Sequence, residues 1–107
     1  MSRLHLTFEC REQRCGATLD SAPGTTGLLI VSGGNEIRSG AFSSQADMAA
    51  EISARGFPVF RFDRRGIGDS SGENGGFKDS SEDILSAIAA FRQSAPLLQT
   101  MVGFGNC

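Results

Sequence analysis

Residues 59–72 read V-F-R-F-D-R-R-G-I-G-D-S-S-G. The first four residues are apolar except for Arg61, which predicts a short strand that runs directly into a loop rich in charge and glycine. The glycines of this loop allow backbone angles that other residues avoid, and its aspartates accept hydrogen bonds from nearby N–H groups. We therefore expect a rigid loop that starts where the strand ends.

The segment at the start of the chain predicts an antiparallel hairpin. Apolar and polar residues alternate over residues 4–10 and, more weakly, over residues 15–19, with a polar turn between them. His5 falls on the polar face, where we interpret it as a solvent-facing side chain. We interpret Cys10 and Cys15 as small apolar residues near the end of the hairpin.

A strand, a helix and a second strand are predicted next. Residues 28–31 are all aliphatic, which is typical of a strand buried on both faces. A helical pattern covers residues 42–55, with Ser43 or Ser44 as the N-cap and Gly56 in the left-handed position after the last turn. The crossover is long enough for the strand at residues 59–62 to pair in parallel with the first.

A second helix and a third strand complete the predicted pattern. Asp79 or Ser80 is expected to cap this helix and Pro96 to end it, and residues 101–104 are expected to form a third buried strand. The predicted fold class is α/β: an antiparallel β-hairpin followed by βαβαβ, with a mainly parallel sheet.

The composition excludes several kinds of partner. The chain has 107 residues, 39% of them hydrophobic, and a formal net charge of −2, so we expect one domain or part of one, with no basic face for nucleic acid. No apolar run is long enough for a membrane span and no secretory signal is evident, which favours a cytoplasmic location. Three cysteines and one histidine favour neither a disulfide framework nor a metal site, and we expect no cofactor.

The run D-R-R-G-I-G-D-S at residues 63–70 resembles the D-x-R-G-x-G-x-S element that follows the fourth strand in many α/β-hydrolase-fold enzymes. We assign Asp63 and Arg65 to holding this loop together, since an arginine cannot act as a base near neutral pH. Gly66 and Gly68 occupy the two glycine positions of the element and belong to the same structural loop.

In that fold the nucleophile lies on a sharp turn after the fifth strand, within a small-x-nucleophile-x-small pattern. Gly105 and the two residues after it supply the first three positions, which makes Cys107 the candidate nucleophile. A cysteine thiolate is a strong nucleophile and would form a thioester intermediate. The alternative is a buried cysteine at the end of a strand, without reactivity.

The S-G-G-N loop at residues 32–35 has the position of the oxyanion-hole loop in the same fold. The backbone N–H of Gly34 or Asn35 would point at the developing oxyanion. A plain strand-to-helix turn is the alternative.

Three segments make the resemblance specific to one family within this fold: G-L-L-I-V-S-G-G-N-E-I-R-S-G, F-P-V-F-R-F-D-R-R-G-I-G-D-S-S-G-E and G-F-G-N-C. Together they are similar to the exosortase A system-associated hydrolase 1 family, a group tied to bacterial exopolysaccharide gene clusters. This resemblance implies a hydrolase of undetermined substrate, a small or acylated molecule, whose complete members continue through strands that carry an acid and a histidine. We therefore expect residues 1–107 to be the N-terminal part of an α/β-hydrolase domain, truncated at the nucleophile elbow. We expect this part to be inactive alone and able to self-associate through an exposed sheet edge.

Two other functions remain open. A dinucleotide-binding domain is suggested by the glycines after a strand, but their spacing is G-x-G-x-x-x-G and the next strand carries no acid for a ribose. A phosphate-binding P-loop would also need a Gly-Lys-Ser/Thr sequence, which the chain lacks. The other open function is a non-catalytic scaffold or interaction protein that keeps the fold without the chemistry.

Overall fold

The computed structural model describes residues 3–10, 13–31, 44–62 and 76–105, which form five strands and two helices. In chain order these are β1 Arg3–Cys10, β2 Gln13–Asp20, β3 Thr26–Val31, α1 Ser44–Ala54, β4 Val59–Phe62, α2 Gly76–Ser94 and β5 Thr100–Gly105.

The five strands form one sheet in the order β1-β2-β4-β3-β5. β1 pairs antiparallel with β2, and β2 pairs antiparallel with β4. β3 lies parallel to both of its neighbours, β4 and β5. Only β2 therefore runs against the others, which confirms the predicted hairpin followed by βαβαβ and the mainly parallel sheet.

The helices pack on opposite faces of the sheet and divide the core into two parts. On the α2 face the buried residues are Ala17, Leu19, Leu29, Phe60, Phe62, Ala87 and Phe91. On the α1 face they are Ile30, Ala49 and Val59. Leu29 and Ile30 are neighbours in β3 and are buried on opposite faces, so this strand is covered on both sides as its aliphatic sequence predicts.

The end of α1 follows the predicted chemistry. Gly56 has a φ of 99°, the left-handed conformation in which glycine avoids the steric cost of a Cβ. The N–H groups of Arg55 and Gly56 donate to the carbonyls of Ile52 and Ser53, each over 3.0 Å, and so close the last turn. α1 ends at Ala54, one residue before the end of the predicted range, and residues 42 and 43 of that range lie outside the described residues.

The start of α2 differs from the prediction. The helix begins at Gly76, so Asp79 and Ser80 lie inside its first turns and do not cap it. An acid is stabilised anywhere in the first turn by the helix dipole, so its presence there does not mark the cap residue. The predicted end is confirmed, since α2 ends at Ser94 and Pro96 follows two residues later.

β5 is a strand as predicted, but the prediction that it is buried is wrong. Val102 is 51% exposed and Phe104 is 49% exposed. The reason is its place among the described strands: β5 pairs with β3 on one side only, while α1 packs against β2 and β4 and α2 packs against β1 and β3. In the described parts of the chain, no helix is both long and apolar enough to cross a membrane.

Candidate active site

The three parallel strands end in one row of the sheet. Val31, the last residue of β3, pairs with Phe62 at the end of β4 and with Gly105 at the end of β5. Neighbouring strands lie about 4.8 Å apart, so the chain leaves three adjacent strands within about 10 Å at the same edge. We call this edge of the sheet the carboxyl edge.

The strand order reverses at the carboxyl edge. The chain passes from β3 through α1 to β4 on one side, and then through α2 to β5 on the other side of β3. In open α/β sheets ligands bind outside the carboxyl ends of the strands at the point where the strand order reverses. Here that point lies between β3 and β5, at the pair formed by Val31 and Gly105.

The sequence places the candidate catalytic residues directly after these two strands. Gly34 and Asn35 follow Val31 by three and four residues, and Cys107 follows Gly105 by two. A chain spans at most about 3.5 Å per residue, so both segments are short enough to meet above the switch point. Gly34, Asn35 and Cys107 themselves lie outside the described residues; what the structure brings together is the pair of strands that carry them.

The structural loop predicted from the sequence follows β4, which also ends at the carboxyl edge. Asp63 comes immediately after Phe62, the last residue of β4, and Arg65, Gly66 and Gly68 follow within six residues of it. These four positions also lie outside the described residues, and their assignment to the loop remains a prediction.

A buried arginine lies just below the carboxyl edge. Arg61 is 3% exposed on the α1 face of β4, in register with Thr18 of β2 and Ile30 of β3. Sequence reasoning treated Arg61 only as an interruption of an apolar strand. The available signal was its position inside a strand with buried neighbours, because a guanidinium there must keep its hydrogen bonds within the protein.

A second arginine joins the hairpin to α1. Arg3 donates through Nε and Nη2 to the two carboxylate oxygens of Asp20, over 2.6 and 3.0 Å, and through Nη2 to the carbonyl of Ala46 over 2.9 Å. The hydrogen bond to Asp20 raises the pKa of Arg3, so the guanidinium stays charged. This contact fixes the first turn of α1, which begins directly after the segment that contains Gly34 and Asn35.

His5 is poorly placed for proton transfer at the carboxyl edge. Its Nδ1 lies 3.1 Å from the Thr18 hydroxyl, on the α1 face of the hairpin. β1 and β5 are separated by four strand spacings, or about 19 Å. His5, the only histidine of the sequence, therefore lies on β1, four strands away from β5, the strand that leads to Cys107.

Two cavities lie away from the switch point. A groove of about 550 Å³ runs between β1 and α2, with Leu6, Phe8 and Ala90 among its walls. A pocket of about 170 Å³ lies at the opposite edge of the sheet, beside Gly24 and Pro58. Among the described side chains, no three His, Cys, Asp or Glu residues are grouped so as to hold a metal ion.

Comparison with known proteins identifies the fold. No protein-family model and no curated protein matches the chain. Among solved structures, the α/β hydrolase GrgF from Penicillium sp. sh18 has a TM-score of 0.82 at 22% identity. The matched region covers 100% of this chain and 38% of the GrgF chain. The esterase Pf2001 from Pyrococcus furiosus has a TM-score of 0.83 at 14% identity, covering 97% of this chain and 41% of its own. Est1E from Butyrivibrio proteoclasticus, solved with ferulic acid, has a TM-score of 0.77 at 17% identity, covering 94% and 42%.

These likenesses show that the chain has the α/β-hydrolase fold. It spans between 38% and 42% of the length of the three hydrolases and esterases it is compared with. The strand order also differs from the dinucleotide-binding arrangement, in which the third strand of the unit pairs with the second. Here β5, the third strand of the βαβαβ unit, pairs with β3, the first.

Proposed function

We propose that this chain contributes strands β1 to β5 of a hydrolase that cleaves an ester, a thioester or a similar acyl bond through Cys107. The observation that carries the proposal is the pairing of Val31 with Gly105 at the switch point. Since β3 and β5 end side by side, the segment containing Gly34 and Asn35 and the segment containing Cys107 leave the sheet from neighbouring positions, which supports a shared site.

Each proposed residue has a defined role. The thiolate of Cys107 attacks the acyl carbon, the carbonyl electron pair moves onto oxygen, and the backbone N–H of Gly34 or Asn35 donates to that oxyanion. Collapse of the intermediate expels the alcohol or thiol, which takes up a proton, and leaves an acyl thioester on Cys107. Water then hydrolyses the thioester, which releases the acyl group as a carboxylic acid and restores the thiol. Asp63, Arg65, Gly66 and Gly68 keep the neighbouring loop in shape.

The substrate class follows from chemistry and from the neighbouring structures. A thiolate nucleophile with an oxyanion hole suits activated acyl groups, and two of the similar structures are esterases or carry a bound carboxylic acid. Esters and thioesters of small or acylated molecules are therefore the proposed substrates. A link to bacterial exopolysaccharide production is proposed on the three quoted sequence segments. A cytoplasmic location is a separate proposal that does not rest on those segments.

The test compares acylation of Cys107 in the folded and the unfolded chain. The chain is mixed with p-nitrophenyl acetate, and acetyl groups are located by mass spectrometry. We expect Cys107 to be acetylated at least tenfold faster in the folded chain than in the same chain unfolded in urea, because the fold supplies oxyanion donors. Gly34→Pro removes one of the two candidate N–H donors, and we expect it to reduce this acceleration if that N–H is the donor used. Equal rates in folded and unfolded chains would favour the scaffold.

Turnover by residues 1–107 alone is expected to be negligible. His5 is about 19 Å from β5 in the plane of the sheet, so it does not serve as the base for Cys107. His5→Ala should leave the nitrophenol release unchanged, while Cys107→Ala should abolish acetylation at that position. Sustained turnover that depends on Cys107 would contradict this expectation.

A further inference from the structure

The two cysteines of the hairpin lie on the same face of the sheet, close to the turn. In the register of the hairpin, Cys15 pairs with Phe8, and Cys10 pairs with Gln13. Phe8 and Cys10 are two residues apart in β1, so their side chains share a face, and Cys15 lies on the same face opposite Phe8. Both cysteines carry thiols, and Cys10 is 2% and Cys15 0% exposed. The two thiols are therefore buried diagonal neighbours across the two strands.

The diagonal position keeps the two thiols just beyond bonding distance. Diagonal neighbours in an antiparallel pair are about 7–8 Å apart. The Cα atoms of a disulfide are usually about 4.4–6.8 Å apart, so a bond between Cys10 and Cys15 requires the strands to shift by about 1–2 Å. The closed hairpin therefore holds the thiols close together in their reduced form.

The turn end of the hairpin is the part that can supply this shift. At the opposite end, Arg3 donates two hydrogen bonds to Asp20, and residues 17–20 of β2 also pair with β4. β1 is the described strand beside residues 13–16. Opening of the hairpin therefore starts at the turn, where it releases the two residue pairs nearest to the turn first.

We propose that Cys10 and Cys15 are a redox-sensitive thiol pair, which a small-molecule disulfide converts to an intramolecular disulfide when the turn end of the hairpin opens. The thiolate of Cys10 attacks one sulfur of the small disulfide, which gives a mixed disulfide and expels one thiolate. The thiolate of Cys15 then attacks the sulfur of Cys10, forms the bond between the two cysteines and expels the second thiolate. Two protein thiols are oxidised, one small disulfide is reduced to two thiols, and the protons of the protein thiols pass to the expelled thiolates.

The position of each cysteine sets the order of the two attacks. Cys10 is the last residue of β1 and is exposed first when the turn end opens. Burial disfavours the thiolate, which is the attacking form, so the closed hairpin protects both cysteines. Once Cys10 has reacted, Cys15 is five positions away in the chain and stays within about 17 Å of it at full extension. The second attack is therefore intramolecular.

The bridge changes the hairpin until a thiol reduces it. Because the bond draws Cys10 and Cys15 closer than their native register allows, the pairs nearest to the turn cannot regain their native spacing. Residues 17–20 of β2 are held between β1 and β4 and keep their pairing. The device is a reversible opening of one end of the hairpin, and it does not depend on the proposed hydrolase activity.

The test exposes the folded Cys107→Ala chain to glutathione disulfide and follows the peptide that contains residues 10–15 by mass spectrometry. We expect this peptide to become lighter by two hydrogen atoms, as the internal bridge requires. With Cys15→Ala added, the mixed disulfide on Cys10 should persist at least about tenfold longer, because the resolving thiol is absent. Cys10→Ala is the matched control, and we expect its mixed disulfide on Cys15 to form at least about fivefold more slowly.

Three results would overturn the proposal. The first is a mixed disulfide on Cys10 that persists equally with and without Cys15. The second is a faster reaction at Cys15 than at Cys10. The third is a folded chain that forms no bridge under conditions in which the same chain unfolded in urea forms one.

Amide exchange tests the opening with both hairpin cysteines present. In the bridged Cys107→Ala chain, we expect the protected N–H groups among residues 8–10 and 13–15 to exchange at least about fivefold faster than in the reduced chain. Those of residues 17–20 should exchange equally in both forms, and dithiothreitol should restore the original rates. Unchanged exchange at the turn end, or an equal acceleration at residues 17–20, would also overturn the proposal.

Discussion

Gly27 is a residue whose side-chain space is occupied by side chains of the core. A Cβ added there would lie 2.6 Å from Phe91 Cζ and 2.6 Å from Leu98 Cδ1. Phe91 cannot move away easily, because it is fully buried and its ring stacks on Phe60 with 5.2 Å between the centroids. The absence of a side chain at position 27 is therefore what lets α2 lie close to β3.

We predict that Gly27→Ala lowers the free energy of unfolding by about 1–3 kcal/mol, the usual cost of overpacking a well-filled core. Gly103→Ala is the matched control in another strand, where the added methyl meets nothing within 4 Å. That change should leave stability equal or raise it by up to about 1 kcal/mol, since it restricts the unfolded chain. Urea unfolding at low micromolar concentration measures both, and an equal loss in the two variants would contradict the prediction.

At the scale of the elements, α1 is attached to the hairpin by one charged contact. The Asp20 side chain is 4% exposed while that of Arg3 is 37% exposed, so the carboxylate is buried under its partner. Removing the guanidinium would leave that carboxylate without its two charge-assisted hydrogen bonds and release the carbonyl of Ala46. The contact thus holds together two elements that are distant in sequence.

We predict that Arg3→Gln lowers the free energy of unfolding by about 1–3 kcal/mol, as expected when a buried charged group loses its partner. Arg92→Gln, at an exposed position in the last turn of α2, should change it by no more than about 0.5 kcal/mol. A double-mutant cycle with Asp20→Asn should give a coupling energy of about 0.5–3 kcal/mol. Additive single effects would contradict the direct contact.

The pH dependence of this coupling follows from the direction of the pKa shift. Asp20 raises the pKa of Arg3, and a group whose pKa is raised by folding stabilises the protein below its ordinary pKa and loses that effect only as the pH rises above it. Arginine stays protonated far above neutrality. Titration of Arg3 should therefore leave the coupling energy between Arg3 and Asp20 unchanged between about pH 6 and pH 9.

Most elements could be predicted because their signals are local. Alternation predicts the hairpin, an aliphatic run predicts β3, and Gly56 followed by Pro58 predicts the end of α1. The exposure of β5 could not be predicted in this way, because its apolar sequence is compatible with either a central or an edge strand. The strand order alone decides between them.

The candidate site was also predictable only in part. Local patterns pick out Cys107, Gly34 and Asn35 as residue types suited to acyl chemistry, but they do not reveal which strands are neighbours. That β3 and β5 lie side by side is a property of the whole sheet, set by how two crossovers pass to opposite sides of β3. The burial of Arg61 was missed for the same reason, since it depends on strands and a helix that are remote in sequence.

At the scale of the whole molecule, the position of a thiol within the hairpin should set how it becomes reactive. Cys15 is fully buried on β2, where it pairs with Phe8 of β1, while Cys10 is 2% exposed at the last position of β1. β4 pairs only with residues 17–20 of β2, so β1 is the described strand beside Cys15. Fraying at the turn end of the hairpin exposes Cys10 first, and exposing Cys15, which pairs further along the hairpin, requires a larger opening. In the Cys107→Ala chain, we therefore predict that iodoacetamide labels Cys10 faster than Cys15 without denaturant. The labelling rate of Cys15 should rise with urea more steeply than that of Cys10, as followed by mass spectrometry. Labelling of Cys15 at or above the rate of Cys10 in native buffer would contradict the register of the hairpin.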